Sequence, residues 1–157
     1  MIHNVVYEQN QRVICLSAGI KQSFCTSMFK YLDSLCCLSG TTYQSNILAS
    51  LASMKNIKKP PIFLNHVNDY LIPLSNTKNG GSFWFSARNY LSCYEDDGHT
   101  YIKFKDKMII KTDYSKFTIL QQYRKYLDLD IIRKEKIESY GYWIYLSMEW
   151  YFKSSDF

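Results

Sequence analysis

The stretch N-I-K-K-P-P-I-F-L-N, residues 56–65, decides how the chain is divided. Two lysines run into two prolines, and an apolar run follows at once. Neither proline carries an N–H, and Pro60 steers Lys59 toward an extended backbone. A helix cannot cross this point. The chain is expected to end a helical region here, turn, hold Lys58 and Lys59 outward, and enter a strand at 62–64. Those lysines either offer a seat for phosphate or simply keep a corner soluble, and both readings stay open.

Upstream of the corner the pattern is helical. In F-C-T-S-M-F-K-Y-L-D-S-L-C-C-L, residues 24–38, Phe24, Met28, Tyr31, Leu32, Leu35 and Leu38 recur at helical spacing. Ser23 is the expected N-cap, and Gly40 the stop. Thr41 or Thr42 then caps a second helix with Ile47, Leu48 and Leu51 on one side, which predicts a helical hairpin. Before it, residues 5–17 read as two short strands around a polar turn at 9–11.

Downstream the period changes. Residues 70–74 return as a partner for 62–64, with Pro73 expected to end that strand. Residues 75–81, S-N-T-K-N-G-G, read as a mobile polar loop with Lys78 at its tip. Residues 83–94 form a long run of β-formers, E-D-D-G-H is a turn, and 100–111 predict a hairpin around 105–107. From Tyr114 a helical stripe runs through Phe117, Leu120, Tyr123 and Leu127. L-D-L-D, residues 127–130, is expected to break it. A last helix from about 131 to 152 places Ile137, Tyr140, Ile144, Met148 and Tyr151 on one face, with Trp143 and Trp150 on another. Two aromatic faces on one helix suggest a dimer contact.

Charge is distributed unevenly. The whole chain carries +5. Residues 1–92 hold eight Lys/Arg and three Asp/Glu, whereas 93–157 hold eleven of each. The expectation is one domain over 1–157, with a basic part at 1–92 that meets an anionic partner and a neutral part at 93–157 that does structural work. A cationic patch is expected from Lys55, Lys58, Lys59, Lys78 and Arg88, with Thr41, Thr42, Tyr43, Asn76 and Asn79 beside it as polar contacts.

Catalytic and metal signatures are missing. The five cysteines, 15, 25, 36, 37 and 93, follow no CxxC spacing, and only His3, His66 and His99 stand beside them. Free thiols in a reducing cytosol are expected, with no metal and no cofactor. No phosphate loop, GxSxG elbow or HExxH occurs. Glu95, Asp96 and Asp97 beside Gly98 read as a solvated hairpin turn. No secretory leader is read at the N-terminus. The greasiest stretch, 140–152, is short for a membrane span.

An ordered series of landmarks resembles the bacterial competence transcription factor ComK family. It comprises C-C-L-S-G-T-T-Y at 36–43, K-K-P-P-I at 58–62, Pro73 in Y-L-I-P-L-S, Trp84, and D-Y-S-K-F at 113–117. The resemblance covers about residues 30–125. It implies a cytoplasmic, DNA-binding activator of DNA-uptake genes. Such a protein reads AT-rich double-stranded sites, largely through the minor groove, as associated dimers, and is controlled by a proteolytic adaptor. It implies no enzyme. Where the family carries a small-basic-basic run after its Tyr, this chain has Ser45, Asn46 and Ile47, and Cys37 replaces another basic residue. Those departures open a second expectation: a relative without DNA contact that works by heterodimerisation or by titrating the adaptor. A small enzyme using Cys36 or Cys93 is a third and remote one. The fold class expected is α+β: an antiparallel β-sheet with a helical hairpin before residue 60 and C-terminal helices.

Overall fold

The computed structural model describes residues 2–75 and 82–154. The architecture is α+β. The chain opens with β1 (Val5–Gln9), β2 (Arg12–Ser17) and β3 (Ile20–Phe24). Helices α1 (Met28–Leu38) and α2 (Tyr43–Ser53) form the hairpin. After the corner come β4 (Ile62–Leu64), a single 3-10 turn (Asn65–Val67), β5 (Asp69–Ser75) and β6 (Ser82–Ser86). Then β7 (Tyr90–Asp96), β8 (His99–Phe104) and β9 (Ile109–Thr112) precede one long helix, α3 (Lys116–Ser154).

Six strands make one sheet in the order β3-β2-β1-β6-β5-β4, every neighbouring pair antiparallel. Period-two alternation gives this sheet two apolar faces. Val6, Val13, Cys15, Leu71 and Trp84 face α1, which contributes Met28, Leu32 and Cys36, and α2, which adds Tyr43 and Ile47. Val5, Ile72, Leu74 and Phe85 face the other way, toward Ile102 and Phe104 of the small sheet β7-β8-β9 and Ile119 and Leu129 of α3. The large sheet is thus the middle layer of three. Full burial of a side chain such as Phe85 or Leu71 contributes about 1.5–3 kcal/mol. Both are wholly buried.

The tight turns follow their local chemistry. Asn10 and Gln11 both take positive φ, as a two-residue hairpin with the strands' own twist requires. Asp97 and Gly98 do the same between β7 and β8. Thr42 caps α2 by accepting from the Ser45 N–H at 3.0 Å. Gly40, at φ +75°, lies just past the end of α1.

Several expectations are corrected. Ser23 does not cap a helix: it lies in β3, opposite Ile14, and Ser27 is the cap instead, accepting from Lys30 N. Phe24 ends β3 and is not part of a helix. Leu48 and Leu51 are exposed, and only Ile47 of that trio packs on the core. Lys59 is not extended, since its φ is +50°. Pro73 does not end its strand, for it lies inside β5 opposite Trp84.

That last placement has a clear reason. Tyr70 O accepts from Ala87 on the β6 side, so alternation turns Pro73 toward the β4 side. There β4 has already run out, so no ladder bond is lost to the missing N–H.

The run 83–94 is divided between two sheets at 87–89, and L-D-L-D does not interrupt α3. Asp130 within that segment is held on the helix surface by Arg133 at 3.1 Å and Lys134 at 2.7 Å. Ile137 and Tyr140 are exposed. The side chains of Trp143, Ile144, Met148, Trp150 and Tyr151, like the loop 76–81, lie outside the described residues.

Candidate nucleic-acid interface

The corner is built by α3 as much as by its prolines. Gln122 is nearly fully buried. Its Nε2 donates to the Lys59 carbonyl at 3.2 Å and to the Pro73 carbonyl at 2.6 Å. Lys125 Nζ donates to the Lys58 carbonyl at 2.8 Å and to Gln122 Oε1. The backbone carbonyls of the corner therefore turn inward onto α3, while the Lys58 and Lys59 side chains stay exposed. Lys136 Nζ donates to Ser53 Oγ at 3.1 Å, which carries another ammonium group to the end of α2. Lys55 is exposed in the connection that follows.

Lys55, Lys58 and Lys59 thereby acquire two neighbours, Lys125 and Lys136, from the half of the chain with no net charge. Among the described residues none of the five forms an ion pair. Partial burial, and then the charge of Lys59, lower the pKa of Lys125 below the ordinary lysine value. Sequence reasoning missed both α3 lysines. The available signal was the spacing of Gln122, Lys125, Leu129, Arg133 and Lys136, which repeats at three to four residues and marks one helix face.

The polar candidates at 41–43 are largely engaged in the fold. Thr42 spends its hydroxyl on the cap, accepting from Ser45 N and donating to Ser45 Oγ at 2.9 Å. Thr41 is half-buried, and its N–H closes on the Cys36 carbonyl. Tyr43 presents its ring edge-on to Phe29 and to Trp84, and burial pushes its phenol pKa up. Asn46 stands where the resemblance leads one to expect a basic side chain. It accepts instead from the Phe63 N–H at 2.9 Å and ties α2 to β4.

Tyr43, Lys59, Pro60, Pro73 and Trp84 line one small pocket of about 130 Å³. Segments far apart in sequence thus converge beside the corner.

Arg88 is elsewhere. It sits in the turn between β6 and β7, where its N–H donates to Asp69 Oδ1 at 2.9 Å and its Nη1 to the Val67 carbonyl at 3.3 Å. It lines a separate cleft with Lys105, Arg133 and Lys134. Lys78, Asn76 and Asn79 lie outside the described residues.

Cys36 is buried between α1 and the large sheet, and burial chiefly pushes its pKa to about 11. A thiol so held is a poor nucleophile. Among the described residues no group of three or more His, Cys, Asp or Glu could hold a metal ion. No described helix is long and apolar enough to cross a membrane.

No curated protein and no solved structure matches the chain. The sequence model of the ComK protein family matches residues 4–138, from the residue before β1 well into α3. That span includes both sheets, the helical hairpin, the corner and the Gln122–Lys125 dock. The chain belongs to the ComK family, a family of competence transcription factors.

Proposed function

We propose that this chain is a DNA-binding activator of competence genes that recognises AT-rich duplex sites through the corner and the adjoining face of α3. One observation carries the reading: Lys125 and Lys136 of α3 reach the Lys58 carbonyl and Ser53 Oγ, on the connection that exposes Lys55, Lys58 and Lys59, and none of the five has an ion-pair partner among the described residues. Such a cluster supplies phosphate contacts, and narrow A·T minor grooves strengthen the attraction for Lys and Arg. Thr41, beside the α2 N-terminus, is the polar candidate nearest to a backbone-positioning role. The protein acts in the cytoplasm as a dimer in this reading, without metal or cofactor.

A fluorescence titration against AT-rich and G·C-rich duplexes over a salt series tests it. The expected result is tighter binding to the AT-rich duplex with a log–log salt slope of about −3 to −5. Lys58→Gln with Lys59→Gln should flatten that slope by about two. No binding at low salt, or a slope near zero, overturns it.

A second reading has its own support. Asn46 ties down β4 where a basic residue is expected, Thr42 is consumed by its cap, and Ser45 and Ile47 carry no charge. These favour a relative without DNA affinity that pairs with an activator or occupies a proteolytic adaptor. Capture of a ComK-family activator by a chain that fails the DNA titration would select it.

A further inference from the structure

The cleft that holds Arg88 uses none of the five lysines of the DNA reading, although Arg133 shares the α3 face that carries Lys125 and Lys136. It encloses about 380 Å³ between the β6–β7 turn, the start of β5 and one side of α3. That is within the size range of small-molecule sites. Its walls bring together Arg88, Lys105, Arg133 and Lys134 with two carboxylates, Asp69 and Asp130.

The carboxylates are already occupied. Asp69 is buried and accepts from Ser86 Oγ, from the Tyr70 N–H at 2.7 Å and from the Arg88 N–H at 2.9 Å. Asp130 is shared by Arg133 and Lys134. Four cations against two engaged carboxylates leave an excess of two positive charges around the space.

The donors are also set in place. The Arg133 guanidinium lies 4.1 Å over the Phe63 ring, its Nε donates to Tyr70 Oη at 3.2 Å and its Nη2 to Asp130. Its Nη1 has no protein partner among the described residues. Among the described residues Arg88 uses only Nη1, on Val67 O, which leaves Nε and Nη2. Lys105 is held beside the same turn, its backbone N–H donating to Asn89 O at 2.8 Å, with its side chain exposed. A guanidinium held by stacking and hydrogen bonds loses little freedom on meeting an oxyanion, and its planar fork suits two oxygens of one phosphate.

We infer that this cleft binds a small phosphate ester, up to a mononucleotide in size, with the phosphate between Arg88, Lys105 and Arg133. The tyrosine rings of Tyr123 and Tyr126 line the remainder and offer apolar contact to the organic part. A ligand so placed bridges the large sheet, through Arg88, to α3, through Arg133. The inference is separable from the DNA reading, since it uses none of the five lysines there.

The test is isothermal titration of the full chain with adenosine monophosphate, paired with thermal unfolding. Saturable binding with a rise in Tm is expected. Arg88→Gln with Lys105→Gln should weaken binding at least tenfold. Both side chains are exposed, so this variant keeps the fold, which its unliganded Tm checks. Lys58→Gln with Lys59→Gln should leave nucleotide binding unchanged. Absence of saturable binding up to ~10 mM, or equal binding by the Arg88/Lys105 variant, overturns the inference. A duplex oligonucleotide distinguishes the source of the phosphate. Failure to displace the nucleotide supports a free ligand, and displacement that persists in the Lys58/Lys59 variant assigns the cleft to DNA backbone and overturns the inference.

Discussion

Two joints carry the chain from layer to layer, and they do the same work with opposite chemistry. At the corner the free backbone groups are carbonyls, of Lys58, Lys59 and Pro73, and α3 answers with N–H donors from Gln122 and Lys125. At 87–89 the free groups are N–H donors, and the fold answers with acceptors. Asp69 takes the Tyr70 and Arg88 amides, and Ser86 Oγ takes the Asn89 amide at 3.1 Å. Which half of the peptide unit is left over decides whether an amide or a carboxylate is needed. The choice has consequences, because a buried amide is indifferent to pH and a buried carboxylate is not. Burial raises the Asp69 pKa above its ordinary value, and the bonds from Ser86, Arg88 and Tyr70 only partly offset it.

The largest expected effect separates the joints directly. Asp69→Ala leaves two amides and the Ser86 hydroxyl unanswered in a buried place and should cost about 3–5 kcal/mol in urea unfolding. Gln122→Ala leaves two carbonyls unanswered and should cost about 2–3 kcal/mol. Equal losses would erase the distinction.

A pH series sharpens it. A raised folded pKa means that folding favours the protonated carboxyl. The stability that Asp69 contributes is then greatest below its ordinary value near 3.8 and declines as pH climbs through the folded value. Asp69→Asn removes that titration while its Oδ1 still meets both amides. The variant should therefore gain on the parent as pH rises above the ordinary value near 3.8. Asp106 and Asp130, whose pKa values are lowered, behave alike in both chains and cancel. A difference that stays constant with pH would show Asp69 to be titration-silent. Gln122→Ala should show no such trend.

The smallest effect tests the corner's backbone. Lys59 holds φ +50°, a region that costs a side-chain-bearing residue about 1–2 kcal/mol. Lys59→Gly should relieve part of it and raise stability by about 0.5–1 kcal/mol, less the added freedom of the unfolded chain. A lowered Tm would mean that the Lys59 side chain contributes more than the backbone loses.

Much of the fold was legible because it rests on local chemistry. The hairpin turns at 9–11 and 97–98, the Thr42 cap, the Gly40 stop and the double proline are each fixed by residues a few positions apart. What escaped depends on partners far along the chain. The five residues of β3 are all exposed, so its segment carries no alternation. Nothing at 87–89 is a proline or glycine, and the break there is imposed by Asp69, 18 or more positions upstream. α3 is the exception, because the pairs that support L-D-L-D as helix, Asp130 with Arg133 and Lys134, are only three and four positions apart.

The candidate site divides in the same way. Lys55, Lys58 and Lys59 were readable beside the prolines. Lys125 and Lys136 were hidden in a segment whose charges sum to zero, since summation along the sequence says nothing about which side chains the fold brings to one place.

Asp106, at the tip between β8 and β9, accepts from Asn4 Nδ2 at 2.6 Å and from the Ala18 amide at 3.0 Å, besides the Met108 amide of its own turn. Beside it in the same turn, Lys105 donates its backbone N–H to Asn89 O. The small sheet is therefore fastened at its β8–β9 turn, while Cys93, Ile102 and Phe104 pack its inner face into the shared core. Its outer surface, where the Tyr94 and Tyr101 rings stack 5.3 Å apart, keeps a fixed heading relative to the rest of the body. Any two molecules that grip the protein on that surface and at the prolines are set at one angle to each other.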